Sequence, residues 1–89
     1  MPNTIHHKFY RKAEVLKRFP FSKSTLANRI NEGTFVPPCS LGDRAVAWIE
    51  FELDSIAAAI GAGKSKGQLK ALVADLVAQR QVVAKEWMK

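Results

Sequence analysis

The sequence predicts an α+β domain that is mostly α-helical, and three observations support this. Apolar residues recur at helical spacing in four separate segments, and a stretch of alternating residues bounded by Pro and Gly lies between the second and third segments. The composition, 47% hydrophobic and 25% charged, is that of a chain that folds around a core. The length of 89 residues corresponds to one domain.

The charge of the chain is positive and unevenly distributed. The chain has 14 Lys and Arg against 8 Asp and Glu, which gives a net charge of +6. Residues 1–32 hold seven basic and two acidic residues, residues 33–63 one and four, and residues 64–89 six and two. A basic balance of this size favours a polyanionic partner such as a nucleic acid.

Other classes of protein lack support in the sequence. No apolar run approaches the roughly 18 residues of a membrane span, and no signal-peptide pattern follows Met1, so we expect a cytoplasmic protein without membrane contact. The single Cys39 excludes an intrachain disulfide and has no partner at a recognisable spacing. No paired acids and no nucleophile with its base are apparent, so we expect no enzyme, no cofactor and no metal site.

The N-terminal part of the chain predicts a flexible leader and a short helix. Residues 1–9 show no hydrophobic periodicity, which is typical of a loose terminus. An amphipathic helix follows over residues 11–19 and ends before Pro20, because proline cannot continue a helix. Its apolar residues are Val15, Leu16 and Phe19.

A second predicted helix, over residues 23–32, has a signal at each end. Ser22 is a preferred N-cap residue, since its hydroxyl can accept a hydrogen bond from a free backbone N–H. Gly33 suits the left-handed conformation that ends many helices. Two helices joined by so short a connection are typical of a helix-turn-helix.

A β-hairpin is predicted after these helices. Residues 35–41 and 44–49 form the two strands, joined by a turn at Gly42 and Asp43. Two prolines in the first strand predict that it is short or lies at an edge, because they cannot donate to a ladder of hydrogen bonds. Trp48 in the second strand is expected in the core because of its size.

Two further helices complete the prediction. Residues 50–60 form a third helix with acidic residues in its first turns, residues 61–67 form a Gly-rich linker, and residues 68–89 form a C-terminal amphipathic helix interrupted at Arg80. The order of two helices, β-hairpin wing and third helix over residues 10–60 predicts a winged helix-turn-helix. The C-terminal helix either completes its core or forms a dimer.

The second predicted helix has the residues expected of a helix that reads DNA. Leu26 and Ile30 share the face toward the first helix, so the opposite face is polar and exposed. Asn binds adenine and Arg binds guanine in the major groove. The alternative is a solvated helix face with no partner. The predicted base contacts are Lys23, Ser24, Asn28 and Arg29.

Residues near the ends of the first two helices and near the hairpin tip are suited to phosphate groups. For Arg44 the alternative is a surface pair with Asp43, and for the three N-terminal cations it is a solvated run of charge. The predicted DNA backbone contacts are Ser22, Thr25, Arg44, Lys8, Arg11 and Lys12.

A series of residues through these elements follows a recognisable order and spacing: Glu14, Val15, Ser22, Ser24, Thr25, Leu26, Ile30, Glu32, Gly33, Phe35, Leu41, Gly42, Arg44, Ala45, Val46, Trp48, Glu50 and Glu52. In these residues the chain resembles the AlpA-like prophage regulators, small winged-helix proteins related to excisionases and to MerR-type proteins. The resemblance implies a DNA-binding regulator of a mobile element at the bacterial nucleoid. It also implies double-stranded DNA and an integrase or other DNA-bound protein as partners.

Several positions depart from the family pattern. Asn28 and Arg29 differ from the usual residues, so the DNA sequence that the family reads does not carry over. Ile49 and Phe51 are apolar where the family is commonly polar, which indicates a docking surface for the C-terminal helix of the same chain or of a second copy. The predicted interface residues are Ile49, Phe51, Leu69, Val73, Leu76, Val83 and Trp87.

These observations together predict a sequence-selective double-stranded DNA-binding protein. It would regulate transcription from a prophage or mobile element, or act as an excision factor. The alternative is a protein-interaction adaptor that acts through the C-terminal amphipathic helix.

Overall fold

The computed structural model describes residues 8–87, and it describes side chains for residues 8–80. Over these residues four helices and a two-stranded hairpin follow the predicted order, and one further strand precedes them. This confirms an α+β architecture that is mostly α and is compatible with a winged helix-turn-helix. The elements are β1 (Phe9–Tyr10), α1 (Lys12–Arg18), α2 (Lys23–Glu32), β2 (Cys39–Gly42), β3 (Ala45–Ile49), α3 (Glu50–Gly61) and α4 (Lys66–Trp87).

Helix α2 begins and ends at the predicted residues. The Ser22 hydroxyl accepts a hydrogen bond from the Thr25 backbone N–H at 3.1 Å, which satisfies one of the free donors of the first turn. Gly33 follows the last turn with φ of 86°, a left-handed conformation that costs a residue with a Cβ atom more than it costs glycine. The local sequence therefore determines both ends of this helix.

The core lies between α1, α2, β3, α3 and α4. Phe19 and Phe35 meet edge to face with ring centroids 5.2 Å apart, and Phe21 stacks on Phe19 at 5.7 Å. Trp48 is buried as predicted, and its indole Nε1 donates a hydrogen bond to the Val36 carbonyl at 3.0 Å. The buried members of this core are Val15, Phe19, Leu26, Phe35, Val36, Trp48, Leu53, Ile56, Val73 and Leu76.

Strand β1 was not predicted from the sequence. Phe9, which the sequence analysis assigns to the flexible leader, pairs with Ile49, and Tyr10 pairs with Trp48. The sheet order is therefore β1-β3-β2, with antiparallel pairing throughout. Two residues are too few to show the alternation of a strand, so only the partner strand reveals this one. Residues 1–7 of the predicted leader lie outside the described residues.

The turn of the hairpin lies one residue later than predicted. Its two central residues are Asp43 and Arg44, with φ of 40° and 68°, and Gly42 pairs with Ala45 across it. A β-bulge between Ser40 and Gly42 accounts for the extra residue. Positive φ at both central positions is typical of a type I′ turn, whose twist matches that of the flanking strands.

The connector between α3 and α4 is shorter than the predicted linker. Helix α4 begins at Lys66 because Ser65 and Gln68 form a capping box. The Ser65 hydroxyl accepts from the Gln68 backbone N–H at 3.2 Å, and the Gln68 side-chain oxygen accepts from the Ser65 backbone N–H at 2.9 Å.

Over the residues whose side chains the structure describes, helix α4 packs against the core of its own chain. Leu69, Val73 and Leu76 are buried, and the latter two join the same core as Leu53 and Ile56 of α3. The predicted division into a domain over residues 10–60 and a separate C-terminal segment stays a prediction. No helix in the part of the chain that the structure describes is long and apolar enough to cross a membrane.

Candidate nucleic-acid interface

The first turn of α2 carries two hydroxyl groups that the sequence assigns to phosphate contacts. Ser22 donates to the Thr25 hydroxyl oxygen at 2.9 Å, in addition to capping the helix. The Thr25 hydroxyl accepts this bond, so its own hydrogen remains free to donate to a ligand. Both residues are exposed. This turn therefore presents a donor at the positive end of the helix dipole, where an anion is favoured.

Helix α2 separates an apolar face from a polar face. Leu26 is buried and Ile30 is half-buried against the core, as the helical spacing predicts. Lys23, Ser24 and Asn28, three of the predicted base contacts, are exposed. Their side chains are short or flexible, and a helix of this width fits the major groove. Their contact with bases stays a prediction.

Arg29, the fourth predicted base contact, is half-buried at the edge of the exposed face. Its guanidinium carbon lies 4.4 Å from the centroid of the Phe21 ring, and Phe21 packs against the core aromatic residues. This cation–π contact uses none of the five N–H donors of the guanidinium. The ring therefore holds the side chain in place while leaving it able to bind a base or a phosphate.

A groove of about 460 Å³ separates α2 from the start of α4. Within it, Glu32 accepts a hydrogen bond from the Thr34 hydroxyl at 3.1 Å and lies 3.5 Å from the Lys66 ammonium. The Thr34 hydrogen bond lowers the pKa of Glu32, and the neighbouring lysines lower it further. The residues that line the groove are Thr25, Asn28, Arg29, Glu32, Thr34, Lys66 and Leu69.

The hairpin tip presents Arg44 to solvent. Among the described residues the ion pairs join Arg18 to Asp54, Lys66 to Glu32 and Arg80 to Glu52, and they do not include Arg44. The alternative pairing of Arg44 with Asp43 therefore has no support in this structure. Two apolar side chains, Leu41 and Val46, are also exposed on this hairpin.

The three predicted N-terminal phosphate contacts lie away from the turn into α2. Lys8 precedes β1, with its ammonium 5.6 Å from the Tyr10 ring centroid. Arg11 is the N-cap residue of α1, where its backbone N–H donates to Glu14 at 2.9 Å, and Lys12 is the first helical residue. All three side chains are exposed at the end of α1 opposite to the one that leads into α2. Their phosphate contacts stay a prediction.

The predicted interface residues occupy different environments. Phe51 is 46% exposed and Ile49 is half-buried, whereas Leu69, Val73 and Leu76 are buried in the chain itself. Val83 and Trp87 belong to α4, but their side chains lie outside the described residues.

One pair of charged residues has a role that the sequence analysis missed. Arg80 interrupts the apolar stripe of α4 and forms a two-pronged ion pair with the buried Glu52 of α3, at 2.8 Å and 2.5 Å. It also donates to the Pro37 carbonyl at 2.8 Å. The available signal was a charged residue within an apolar stripe, which indicates a paired charge in a core.

The described residues hold no group of three or more His, Cys, Asp and Glu side chains that could bind a metal ion. Burial raises the pKa of the half-buried Cys39 thiol, which reduces the fraction of reactive thiolate. His6 and His7 lie outside the described residues.

Comparison with known proteins identifies a family and a relative. Residues 8–56 match the family model described as prophage CP4-57 regulatory protein (AlpA). The chain is also similar to the uncharacterized protein ORF88 of Enterobacteria phage P4, with 34% identity over 67 residues that cover 75% of this chain and 76% of that protein. No solved structure matches. The segment that matches the family model begins just before β1 and contains α2 and the hairpin.

Proposed function

Because the chain belongs to the AlpA family of prophage regulatory proteins, we propose that it binds double-stranded DNA with sequence selectivity and thereby controls a prophage or other mobile element. Helix α2 enters the major groove, and the β2–β3 hairpin contacts the DNA backbone beside it. Bound in this way, the protein acts at the bacterial nucleoid, either on transcription of the element's genes or on its excision together with an integrase.

The observation that carries this proposal is the polar exposed face of α2 on a rigidly packed helix. Leu26 is 1% exposed, so the helix is anchored along one side. Asn28 is exposed on the other side, and Arg29 is held by Phe21 at the edge. Asn and Arg each offer two donor or acceptor atoms in the geometry that adenine and guanine present. A rigid helix keeps such groups in register with the bases.

The charge of the chain supports the same partner. The net charge of +6 attracts a polyanion, and Arg44 adds an exposed cation within the strained turn at the hairpin tip. Non-glycine residues with positive φ cost roughly 1–3 kcal/mol, and such strain is commonly retained where a residue must be presented to a ligand.

The adaptor alternative has less support. It needs the apolar stripe of α4 to be available to a partner helix. Leu69, Val73 and Leu76 are instead buried against the chain's own core.

The proposal is tested by measuring DNA binding of the wild type and of the variants Asn28→Ala and Arg29→Ala. The DNA is the preferred site selected from random duplexes by the wild type. Each variant is expected to lose about 1–3 kcal/mol of binding free energy and to relax selectivity at one position, because a two-atom base contact is removed. Fluorescence anisotropy at a fixed salt concentration measures the loss.

Lys17→Ala is the matched control, because Lys17 is an exposed cation of α1 and not a predicted DNA contact. It should retain the preferred sequence. Unchanged affinity and unchanged sequence preference in both α2 variants would refute the role of α2.

A reporter-gene assay and an integrase-dependent excision assay then distinguish control of transcription from control of excision.

A further inference from the structure

Two lysines of α4 lie against the C-terminal end of α2. The Lys66 ammonium is 3.5 Å from the Glu32 carboxylate, and the Lys66 side chain is 64% exposed. The Lys70 Cγ lies 3.9 Å from the position that a Cβ atom on Gly33 would occupy. Lys66 lines the same groove as Asn28 and Arg29. The two lysines therefore extend the surface of α2 rather than forming a separate patch.

The position of these lysines opposes the stability of their own helix. The first turns of a helix favour acidic residues, because the free N–H groups there carry positive partial charge. Helices α1 and α3 follow this rule with Glu14, Glu50 and Glu52, whereas the first turns of α2 and α4 have no acidic residue. Helix α4 has lysines in its first two turns instead. One carboxylate, that of Glu32, faces them and offsets part of this charge.

From this arrangement we infer that Lys66 and Lys70 form a second DNA contact, which binds the phosphate backbone beyond the C-terminal end of α2. This inference rests on the proposed function. Residues four positions apart on a helix have Cβ atoms about 5–6 Å apart on one face, so two long side chains reach neighbouring phosphates of one strand. The groove then lies over the DNA, with the base-reading residues on one wall, Lys66 on the other, and Lys70 beside the end of α2.

The surface is suited to DNA rather than to an acidic protein segment. Among the residues that line the groove, the one large aliphatic side chain is that of Leu69, which is only 7% exposed and so offers little to anchor a peptide. Ammonium groups on flexible stems bind phosphates as point charges and tolerate any base sequence. The lysines therefore contribute affinity and salt dependence, whereas Asn28 and Arg29 contribute sequence preference.

The test is the double variant Lys66→Gln with Lys70→Gln, titrated with the selected duplex at several salt concentrations. Each lost phosphate contact reduces the magnitude of the negative slope of log affinity against log salt by about 0.9, so we expect the magnitude to decrease by about 1.8. Near 0.1 M salt the affinity should fall by at least about tenfold. The ranking of duplex sequences should be unchanged.

The matched control is the double variant Lys17→Gln with Lys64→Gln. It removes the same charge from exposed lysines, one on α1 and one that lines the groove between α3 and α4. Equal effects of the two double variants would overturn the inference, because net charge alone would then explain both. If the wild type failed to bind any duplex, the proposed function itself would fail.

A further variant, Glu32→Gln, is expected to bind DNA more tightly than the wild type. The amide oxygen can still accept the hydrogen bond from Thr34, so the local structure is preserved while a negative charge next to Lys66 is removed. Affinity for DNA should increase several-fold, and the slope of log affinity against log salt should become more negative. Unchanged or weaker binding by this folded variant would show that the groove does not face phosphates.

Discussion

Trp48 is the residue that connects the hairpin to the rest of the core. It is 2% exposed, it lies in the central strand opposite Tyr10, and its indole N–H satisfies the Val36 carbonyl at 3.0 Å. Its ring therefore supplies both apolar area and a buried hydrogen bond to the chain segment that leads into β2.

Substitution of Trp48 should be the most damaging change in the sheet. Trp48→Ala is expected to lower the free energy of unfolding by about 3–5 kcal/mol, because a large buried side chain leaves a cavity. Trp48→Phe should cost about 1–3 kcal/mol, since the Val36 carbonyl loses its donor. Urea unfolding followed by far-UV circular dichroism measures both, with the exposed Val46→Ala as the control. A smaller loss for Trp48→Ala than for Val46→Ala would contradict the packing described here.

The side chain of Arg29 makes a contact that its position in α2 does not predict. Helical spacing alone puts Arg29 at the flank of the polar face of α2, and the structure agrees. The contact of its guanidinium with the Phe21 ring depends on where the chain preceding α2 is packed, which spacing within the helix does not reveal. The restraint lowers the conformational entropy that the side chain would lose on binding DNA.

At the level of elements, a capping box in the local sequence determines where α4 begins. Ser65 and Gln68 form reciprocal hydrogen bonds, so the helix begins within the Gly-rich segment and includes Gly67. Capping satisfies N–H groups that would otherwise be free and outweighs the low helix propensity of one glycine. The pattern of Ser followed three residues later by Gln is readable in the sequence.

Two substitutions at this helix start should have opposite effects. Ser65→Ala is expected to lower the free energy of unfolding by about 1 kcal/mol, because the cap is lost. Gly67→Ala is expected to raise it by a few tenths to about 1 kcal/mol, since a Cβ atom there meets nothing closer than the Ser65 hydroxyl at 4.0 Å. Thermal unfolding of both variants measures the difference. The same sign for both changes would show that α4 does not begin at this cap.

At the level of the whole molecule, one ion pair joins three parts of the chain. Arg80 of α4 holds the buried Glu52 of α3 and the Pro37 carbonyl, which precedes the hairpin. The hydrogen bonds to Glu52 raise the pKa of Arg80, although burial opposes this. The C-terminal helix therefore helps to set the position of the hairpin relative to the helices.

Replacing one member of this pair should destabilise the fold more than replacing both members. Arg80→Met is expected to destabilise the fold by about 3–5 kcal/mol, because it leaves the Glu52 carboxylate buried without a partner. The double variant Arg80→Met with Glu52→Leu should recover much of this loss, since no uncompensated charge remains. Urea unfolding of Arg80→Met, of Glu52→Leu and of the double variant measures the coupling free energy between the two side chains. Additive losses would show that the pair is not coupled in solution.

The sequence by itself determined the order of the four helices and the hairpin, both ends of α2, the burial of Trp48 and the polar face of α2. Each of these depends on residues close together in the chain: a cap, a glycine, a proline or a helical period. Tertiary structure alone decided that Phe9 pairs with Ile49, that Arg80 reaches Glu52 and that Lys66 and Lys70 lie beside the end of α2. These contacts join residues 28 to 40 or so positions apart, and their geometry exists only once the helices have packed on a common core.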